Sequence, residues 1–204
     1  MSDEKFDTFH HHHHRGLKPL VIPKTVGDKL DPFKIVGVKP GFNLDKENGE
    51  SAFETLTEAS FPGKWKIIYF YPKDFTFVCP TEIVGYSKLV KDLDERGAVL
   101  LGGNGDNEFV KLAWRRDHKD LNKLNHWSFA DSQGTLIDQL GIRDKEAGVP
   151  LRATFIVDPD NVIKHVTVNT LSVGRNTDEA LRLLDALQTG FLCACNRPVG
   201  GSTL

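Results

Sequence analysis

Hydrophobic positions along the chain fall into short continuous runs, typical of buried strands, and into rows spaced three or four residues apart, typical of helices. The continuous runs predict strands at 66–71 and 98–102, and the helical rows predict helices at 80–97, 109–118 and 133–140. Pro80 suits the first position of the first of these helices, because the N–H that proline lacks would have no partner there. In the second helix, the spacing places Leu112, Ala113 and Arg116 on one face.

The pattern changes after residue 150. A hairpin is predicted by two β-rich runs and the turn residues between them, at 153–158, 159–161 and 162–168. Asn176, with Glu179 three residues later, resembles a capping box and predicts a helix that continues through Gln188 and ends at Gly190. Alternating strands and helices, then a hairpin and a last helix, predict an α/β protein with a thioredoxin-like fold. This is a central mixed β-sheet flanked by helices, here with a C-terminal tail.

The chain is predicted to contain three segments. Residues 1–18 are polar and are predicted to be disordered. Their run from His10 to His14 is interpreted as an expression tag or a solvated tract, since it has no coordination geometry of its own. Residues 19–190 are predicted to form one domain without internal repeats. Residues 191–204 are polar and contain Gly and Pro, and we expect them to form a mobile tail.

Bulk composition removes several classes of function. A hydrophobic content of 39% with 26% charged residues is ordinary for a globular protein and argues against global disorder. The 26 Lys and Arg residues nearly balance 28 Asp and Glu residues, so no basic surface for nucleic acid is expected. No apolar run approaches the ~20 residues of a membrane span, and the first residues carry no secretory signal. Three cysteines are too few for a secreted disulfide framework, so the chain is expected to be cytoplasmic.

Cys79 lies where the 66–71 strand leads into the helix that begins near Pro80. The start of a helix offers unpaired N–H groups and a partial positive charge, which favour a thiolate, the nucleophilic form of cysteine. The alternative is that Cys79 is a small buried hydrophobic residue, as many free cysteines are. Thr76, three residues before the sulfur, and Pro72, at the start of the loop, favour the chemical interpretation.

The string from Phe70 to Glu82, FYPKDFTFVCPTE, resembles the active-site signature of the typical two-cysteine peroxiredoxins. More narrowly, it is similar to the alkyl hydroperoxide reductase C type. The family pattern of Pro, three residues, Thr or Ser, two residues, Cys is matched by Pro72, Thr76 and Cys79, and the resemblance extends from about Leu20 to the end of the chain. It implies a thiol-specific peroxidase that reduces hydrogen peroxide and alkyl hydroperoxides to water and alcohols, with no cofactor and no metal.

The resemblance implies roles for the three loop residues. The Cys79 thiolate attacks one peroxide oxygen and becomes a sulfenic acid. The Thr76 hydroxyl and the Cys79 N–H donate hydrogen bonds that align the peroxide and stabilise the charge on the leaving oxygen. Pro72 excludes water from the site.

Three further residues are implied by the resemblance. Arg152, at the entry to the 153–158 strand, matches an arginine of the family's active site and would supply the cation beside the thiolate. Glu82, one turn into the helix, would pair with Arg152 and orient it. The alternative for Glu82 is that it only complements the helix dipole. Arg175 matches a second arginine of the family site.

Cys193 and Cys195 lie in the tail, after the last predicted helix. They could bind a metal or be inert, but the resemblance implies that Cys193 is the resolving cysteine. It would form a disulfide with Cys79 of another subunit, so a homodimer, and a ring of dimers, are implied. Cys195 could offer an alternative disulfide or an exchange step. A thioredoxin or a dedicated disulfide reductase would recycle the enzyme. The chain lacks the Gly-Gly-Leu-Gly loop and Tyr-Phe tail of easily overoxidised members, so its tail thiols are expected to be exposed quickly.

Three other functions fit the sequence less well. A thioredoxin-like disulfide reductase would need Cys-x-x-Cys at the helix start, but the chain has Cys79-Pro80-Thr81-Glu82 there. A chaperone or structural ring would be a secondary role. A metal-binding module would depend on the His tract being native.

Overall fold

The computed structural model describes residues 20–204, and the predicted N-terminal segment with its His tract lies outside these described residues. Seven strands form one mixed sheet: β1 (Lys34–Val38), β4 (Phe53–Thr57), β5 (Trp65–Phe70), β6 (Ala98–Asn104), β7 (Trp127–Ala130), β8 (Arg152–Val157) and β9 (Ile163–Asn169). A separate hairpin is formed by β2 (Lys46–Glu47) and β3 (Glu50–Ser51). The strands and the hairpin expected from the apolar runs are confirmed as β5, β6, β8 and β9.

The strand order of the large sheet is β4-β1-β7-β6-β5-β8-β9. β5, β6 and β7 are parallel to one another, and the remaining pairs are antiparallel. Tyr69 of β5 lies opposite Thr154 of the antiparallel β8, so Arg152, at the start of β8, lies just beyond the end of β5. The sheet therefore brings Arg152 to the place where the chain leaves β5 for the next helix.

Five helices accompany the sheet: α1 (Cys79–Ser87), α2 (Val90–Glu95), α3 (Glu108–Asp117), α4 (Thr135–Gln139) and α5 (Asp178–Thr189). The single helix predicted for 80–97 was wrong, because α1 and α2 are separate. Ser87 donates its hydroxyl proton to the Ile83 carbonyl, and the Leu89 N–H bonds to the Tyr86 carbonyl three residues back. Both contacts tighten the last turn of α1 and interrupt the regular backbone hydrogen bonds of the helix. The Leu89 side chain is buried in the core.

Two apolar layers cover the two faces of the sheet. On one face, Ile67 and Tyr69 of β5 pack with α1, α2, α5 and Trp114 of α3. On the other face, Ile68 and Phe70 pack with α4 and with β1 and β4. This alternation follows from the two-residue period of a strand that is buried on both faces. A mixed sheet flanked by helices is confirmed.

The expected face of α3 was wrong in one position. Arg116 is exposed, and the helix instead buries Lys111, Leu112, Trp114 and Arg115. The two cations are buried because each finds partners inside the protein: Lys111 pairs with a carboxylate, and the Arg115 guanidinium donates to backbone carbonyls.

The capping box expected at the start of α5 was also wrong. Thr177 occupies the cap position without a side-chain cap hydrogen bond, and the Asn176 side chain accepts a bond from the Asp178 N–H. Glu179 pairs with Arg182 one turn later, at 2.6 Å, instead of reaching back to the cap. This exposed ion pair on the outer face of the helix uses the carboxylate that the box would need.

The segment after α5 contains no helix or strand, but specific side-chain and backbone contacts hold it. The Arg197 side chain is buried and pairs with Asp185 of α5 at 2.7 Å, and the Leu204 N–H bonds to the Leu192 carbonyl. The expectation of a mobile tail therefore differs from the structure, in which an arginine anchors the tail on α5. Within residues 20–204, no helix combines the length and apolar character needed to cross a membrane.

Candidate active site

The Cys79 sulfur lies at the first residue of α1, just beyond the end of central strand β5. The residue is 1% exposed, and Pro80 follows it at the start of the helix. Val78 occupies the cap position and makes no side-chain cap bond, so no capping side chain competes for the first N–H groups. Among the hydrogen bonds of residues 20–204, none uses the Cys79 N–H. The helix start thus presents one free donor, the Cys79 N–H, and a positive dipole end beside a buried sulfur, since the Thr81 and Glu82 N–H groups bond to the Val78 carbonyl.

Arg152 faces the sulfur directly. Its Nη1 is 3.4 Å from Cys79 Sγ and 2.8 Å from Glu82 Oε2, and its Nε donates to the Leu171 carbonyl at 2.7 Å. The Arg152 side chain is 6% exposed. Held at both ends of the guanidinium, Arg152 cannot swing away from the sulfur without breaking these bonds.

Glu82 joins Arg152 to a second guanidinium. Arg175 Nε and Nη2 contact the two Glu82 oxygens, each at 2.8 Å, and the Arg175 N–H donates to Oε1 at 3.0 Å. Burial raises the pKa of the Glu82 carboxyl, but the bonds and charges of Arg175, with help from Arg152, lower it below its ordinary value of 4.5. The structure thus contains the predicted Glu82–Arg152 pair, and it also brings in Arg175.

The charges of this cluster favour an anionic sulfur. Two guanidinium groups and one carboxylate leave one uncompensated positive charge in a buried place. A deprotonated Cys79 would neutralise that charge, and the low-dielectric surroundings strengthen the attraction. The cluster is therefore suited to holding a thiolate.

Aromatic rings support the Arg175 side of the cluster. The Tyr69 and Tyr86 rings stack with centroids 4.0 Å apart, and the Arg175 guanidinium lies 5.6 Å from the centre of each. Tyr86 shares a 2.6 Å hydrogen bond with Thr154, and Tyr69 shares a 2.7 Å bond with His126. Burial raises the pKa of Tyr69 well above its ordinary value, so the ring stays neutral.

The loop residues Pro72 and Thr76 lie before the sulfur in the chain. Pro72 is buried and borders a cavity of about 250 Å³ that is also lined by Asp131. Thr76 is partly exposed and donates its hydroxyl proton to the Lys73 carbonyl at 3.0 Å. The hydrogen bonds within residues 20–204 include none between Thr76 and Cys79, so the proposed contact of Thr76 with a peroxide stays a prediction.

A buried network that the sequence analysis missed fixes the first half of this loop. The Asp74 carboxylate contacts Lys111 at 3.0 Å, accepts a bond from the Tyr71 hydroxyl at 2.7 Å, and accepts another from Asn104 at 3.1 Å. Asp74 and Lys111 side chains are each 1% exposed. The one available signal was Lys111 itself, a lysine four residues from Arg115 and next to the apolar Leu112. In contrast, Phe77, three residues after Asp74, is 96% exposed.

The two tail cysteines lie after the carboxyl end of α5. Cys193 is half-buried, with its sulfur 3.5 Å from Thr189 Oγ1 and 3.7 Å from the Ala186 carbonyl, whereas Cys195 is exposed. All three cysteines are free thiols. In residues 20–204, no group of three or more His, Cys, Asp and Glu side chains is arranged to hold a metal ion.

A buried thiol at a helix start, faced by a guanidinium and mounted on this sheet, fits a cysteine-dependent peroxidase. Comparison with known proteins agrees: the model of the AhpC/TSA family matches residues 36–166. Alkyl hydroperoxide reductase C of Mycolicibacterium smegmatis is 44% identical over 182 residues, which cover 88% of this chain and 93% of that protein. The chain therefore belongs to the AhpC/TSA family and is a peroxiredoxin of the alkyl hydroperoxide reductase C type, a thiol peroxidase that reduces peroxides.

Solved structures show the same fold. Mycobacterium tuberculosis AhpC superimposes with a TM-score of 0.77 at 42% identity, covering 85% of this chain and 98% of that one. The reduced 2-Cys peroxiredoxin of Plasmodium vivax superimposes with a TM-score of 0.77 at 31% identity, covering 89% of this chain and 93% of that one. The predicted thioredoxin-like fold is confirmed.

Proposed function

We propose that Cys79 is the nucleophile of this peroxidase, with Arg152 as the cation that stabilises its thiolate. The observation that carries the proposal is the 3.4 Å contact between Arg152 Nη1 and Cys79 Sγ at the start of α1. Glu82 and Arg175 hold Arg152 in place, since Glu82 bridges the two guanidinium groups.

The reaction at Cys79 transfers one oxygen to sulfur. The thiolate attacks the nearer peroxide oxygen, the O–O bond breaks, and its electron pair leaves with the far oxygen. Hydrogen peroxide gives water and an alkyl hydroperoxide gives an alcohol once the leaving oxygen takes up a proton. The free Cys79 N–H and the Thr76 hydroxyl are the proposed donors to the peroxide, and for this the Thr76 hydroxyl must leave the Lys73 carbonyl. Pro72 limits access of water.

The sulfenic acid is then resolved by Cys193 of a second copy of the chain. Its sulfur attacks the Cys79 sulfur, a disulfide forms and water leaves. Cys195 provides a slower alternative. A thioredoxin-like or dedicated disulfide reductase returns both sulfurs to thiols, and the cycle needs no metal or cofactor. The proposed setting is the cytoplasm, and the proposed working unit is residues 19–190 with the tail 191–204.

A homodimer, assembled further into a ring, is the proposed form. The supporting observation is β9, which pairs with β8 on one side and forms one edge of the sheet. Beyond Ile163, which exchanges backbone bonds with Gly27 and Asp28, this edge is a template for pairing with another chain, and Val168 on β9 is 44% exposed. Two copies joined along β9 would continue the sheet from one subunit to the next.

The test compares Cys79→Ser, Arg152→Met and Thr76→Val for rapid-mix consumption of hydrogen peroxide. Cys79→Ser is expected to remove turnover and leave the fold intact. Arg152→Met should lower both the thiolate absorbance and the rate, whereas Thr76→Val should lower the rate with less change in thiolate absorbance, because it acts by a directed hydrogen bond. Arg152→Lys, which keeps the charge, is the matched control and should retain part of the thiolate. Peroxide consumption by Cys79→Ser near the parent rate would refute the proposal.

A further inference from the structure

Two neighbouring side chains of α3 hold the loop segment that leads to Thr76. Lys111 pairs with the Asp74 carboxylate at 3.0 Å, and Trp114, three residues later, stacks against the Phe75 ring with centroids 5.7 Å apart. Lys111 and Trp114 are both buried, and their spacing places them on one face of the helix. One face of α3 therefore fixes two consecutive residues of the loop.

Phe75 has a backbone conformation that bulky residues rarely adopt. Its φ is +57°, in the left-handed region that favours glycine. Phe75 is 51% exposed, so burial of its ring in the core does not impose this conformation. A residue stays in such a region only where its surroundings hold it there, and these residues are concentrated at functional sites. Here the surroundings are the Asp74 ion pair before Phe75 and the Trp114 ring beside it.

The residue that follows Phe75 is Thr76, whose hydroxyl closes a turn. Thr76 Oγ1 donates to the Lys73 carbonyl at 3.0 Å, and Phe75 lies inside this turn. Because φ and ψ are the only soft dihedral angles of the backbone, the angles at Phe75 set the direction in which the chain reaches Thr76. The conformation of Phe75 therefore controls where the Thr76 hydroxyl points.

The cation beside the sulfur is held separately from this turn. The Arg152 guanidinium contacts the Cys79 sulfur, the Glu82 carboxylate and the Leu171 carbonyl, and none of these groups belongs to residues 73–76. The charge that stabilises a thiolate and the direction of the Thr76 hydroxyl thus depend on different contacts. A change at the turn can alter the second and leave the first as it is.

We infer that Lys111 and Trp114 are positioning residues for the peroxide step. They hold the Phe75 conformation that directs the Thr76 hydroxyl toward a peroxide bound at Cys79. The inference rests on the roles proposed above for Thr76 and Cys79. A hydrogen bond weakens steeply when its donor is misaligned, so a hydroxyl without a fixed direction stabilises the leaving oxygen less. An enzyme with this contact released keeps its thiolate but reacts slowly with peroxide.

The first test replaces Phe75, which is half-exposed, so its substitution costs little folding free energy. Phe75→Ala should slow sulfenic acid formation from hydrogen peroxide by about tenfold, less than the roughly hundredfold loss caused by removing a directed donor. Phe75→Tyr keeps the stacked ring and should react near the parent rate. Phe109→Ala is the matched control, because this exposed ring of α3 pairs with Phe53 and not with the loop, and it should change nothing.

Two further readouts separate positioning from a merely structural role. In Phe75→Ala, the thiolate absorbance of Cys79 and its alkylation by iodoacetamide should stay at the parent values, because neither needs an aligned peroxide. Lys111→Met, measured under conditions in which circular dichroism shows it folded, should give the same separation of the two rates. Peroxide and alkylation rates that fall together in both variants overturn the inference, and so do parent peroxide rates in both.

A double-mutant cycle connects the effect to Thr76. In the Thr76→Val background, adding Phe75→Ala should change the peroxide rate by less than about twofold, because the hydroxyl that it misdirects is gone. An equal loss in both backgrounds overturns the inference and leaves the proposed role of Thr76 standing. If Thr76→Val alone reacts at the parent rate, the proposed role of Thr76 has failed, and the inference fails with it.

Discussion

Arg115 shows how a single residue can be buried with its charge. The guanidinium is 2% exposed and donates to four backbone carbonyls and to the Ser128 hydroxyl. Burial lowers the pKa of Arg115 to about 10, which still leaves it charged at neutral pH. Carbonyl dipoles from the segment after β1 and from the start of β7 stabilise this charge in place of a carboxylate, so Arg115 ties these two segments to α3.

His126, next to Arg115, makes the stability of the protein depend on pH. Burial, helped by the Arg115 charge, lowers the pKa of His126 from its ordinary value of 6.5 to about 3. Below about pH 6.5 His126 is protonated in the unfolded chain but stays neutral in the native protein. The contribution of His126 to the free energy of unfolding is therefore complete above that pH and falls on acidification. The loss should approach about 1.4 kcal/mol of unfolding free energy for each pH unit. Urea unfolding at a series of pH values measures it.

His126→Gln is the matched variant for this effect. It removes the titrating ring but can keep a hydrogen bond to the Tyr69 hydroxyl. The variant should be less stable than the parent at neutral pH, and the difference between the two should shrink as the pH falls toward about 5. If the free energies of unfolding of parent and variant change in parallel over that pH range, a group other than His126 causes the pH dependence.

At the scale of elements, the loop between β5 and α1 is held at Asp74 by a buried ion pair with Lys111, whereas Phe77 nearer its end is exposed. Lys111→Met should destabilise the protein by about 3–5 kcal/mol, because it leaves the buried Asp74 carboxylate without its cation. Adding Asp74→Asn should recover most of that loss, since the amide still accepts from Tyr71 and Asn104 while no charge stays unpaired. The free energies of unfolding from urea titrations of the three variants measure this coupling.

The control for this cycle is Lys123→Met, which breaks an exposed pair with Glu47. Its unfolding midpoint should match the parent, because exposed pairs are screened by solvent. A double variant no more stable than Lys111→Met alone would mean that the network acts through packing and not through charge.

The elements that the sequence predicted correctly are those with a dominant local signal. β5, β6 and the β8–β9 hairpin come from apolar runs bounded by turn residues, and α3 and α5 come from helical spacing. β1, β4 and β7 had no comparable signal, because their places depend on pairing with strands distant in the chain. The break between α1 and α2 depends on side-chain bonds that spacing does not contain.

The candidate site divides in the same way. Pro72, Thr76 and Cys79 lie in one continuous string, so a family motif could identify them, and Arg152 and Arg175 were found only through the same resemblance. The Asp74–Lys111 pair joins a loop to a helix through the fold, and its one local signal was a lysine beside the apolar Leu112. Ion pairs buried between distant segments have no periodic signal, which is why this one was missed.

At the scale of the whole molecule, oxidation should join two copies of the chain. After one equivalent of peroxide, we expect a disulfide-linked dimer, with Cys79 of one copy bonded mainly to Cys193 of the other. Cys193 is nearer α5 than Cys195, so its position is better defined and its effective concentration near Cys79 higher. Non-reducing gels with peptide mapping measure both the dimer and its linkage.

Three variants separate the two tail thiols. Cys193→Ser should form a slower Cys79–Cys195 dimer and show more overoxidation of Cys79. Cys195→Ser should behave like the parent, and the double variant should give one turnover and no dimer band. If Cys195→Ser is the slow variant, the two roles are reversed. A bond between Cys193 and Cys195 as the sole product would mean that the tail is a separate exchange site.

Because α1 starts without a side-chain cap, its first turn should also respond to the size of the group attached to the Cys79 sulfur. Cys79 is buried with 1% of its surface exposed, so an oxygen atom added to the sulfur must fit among closely packed neighbours. Overpacking of this kind costs about 1–3 kcal/mol. An N-terminal turn without a side-chain cap lacks a stabilisation of about 1 kcal/mol, so it is the cheapest place for that strain to be relieved. We therefore expect the sulfenic acid of the proposed reaction to favour opening of this first turn, so that the second step needs no separate trigger.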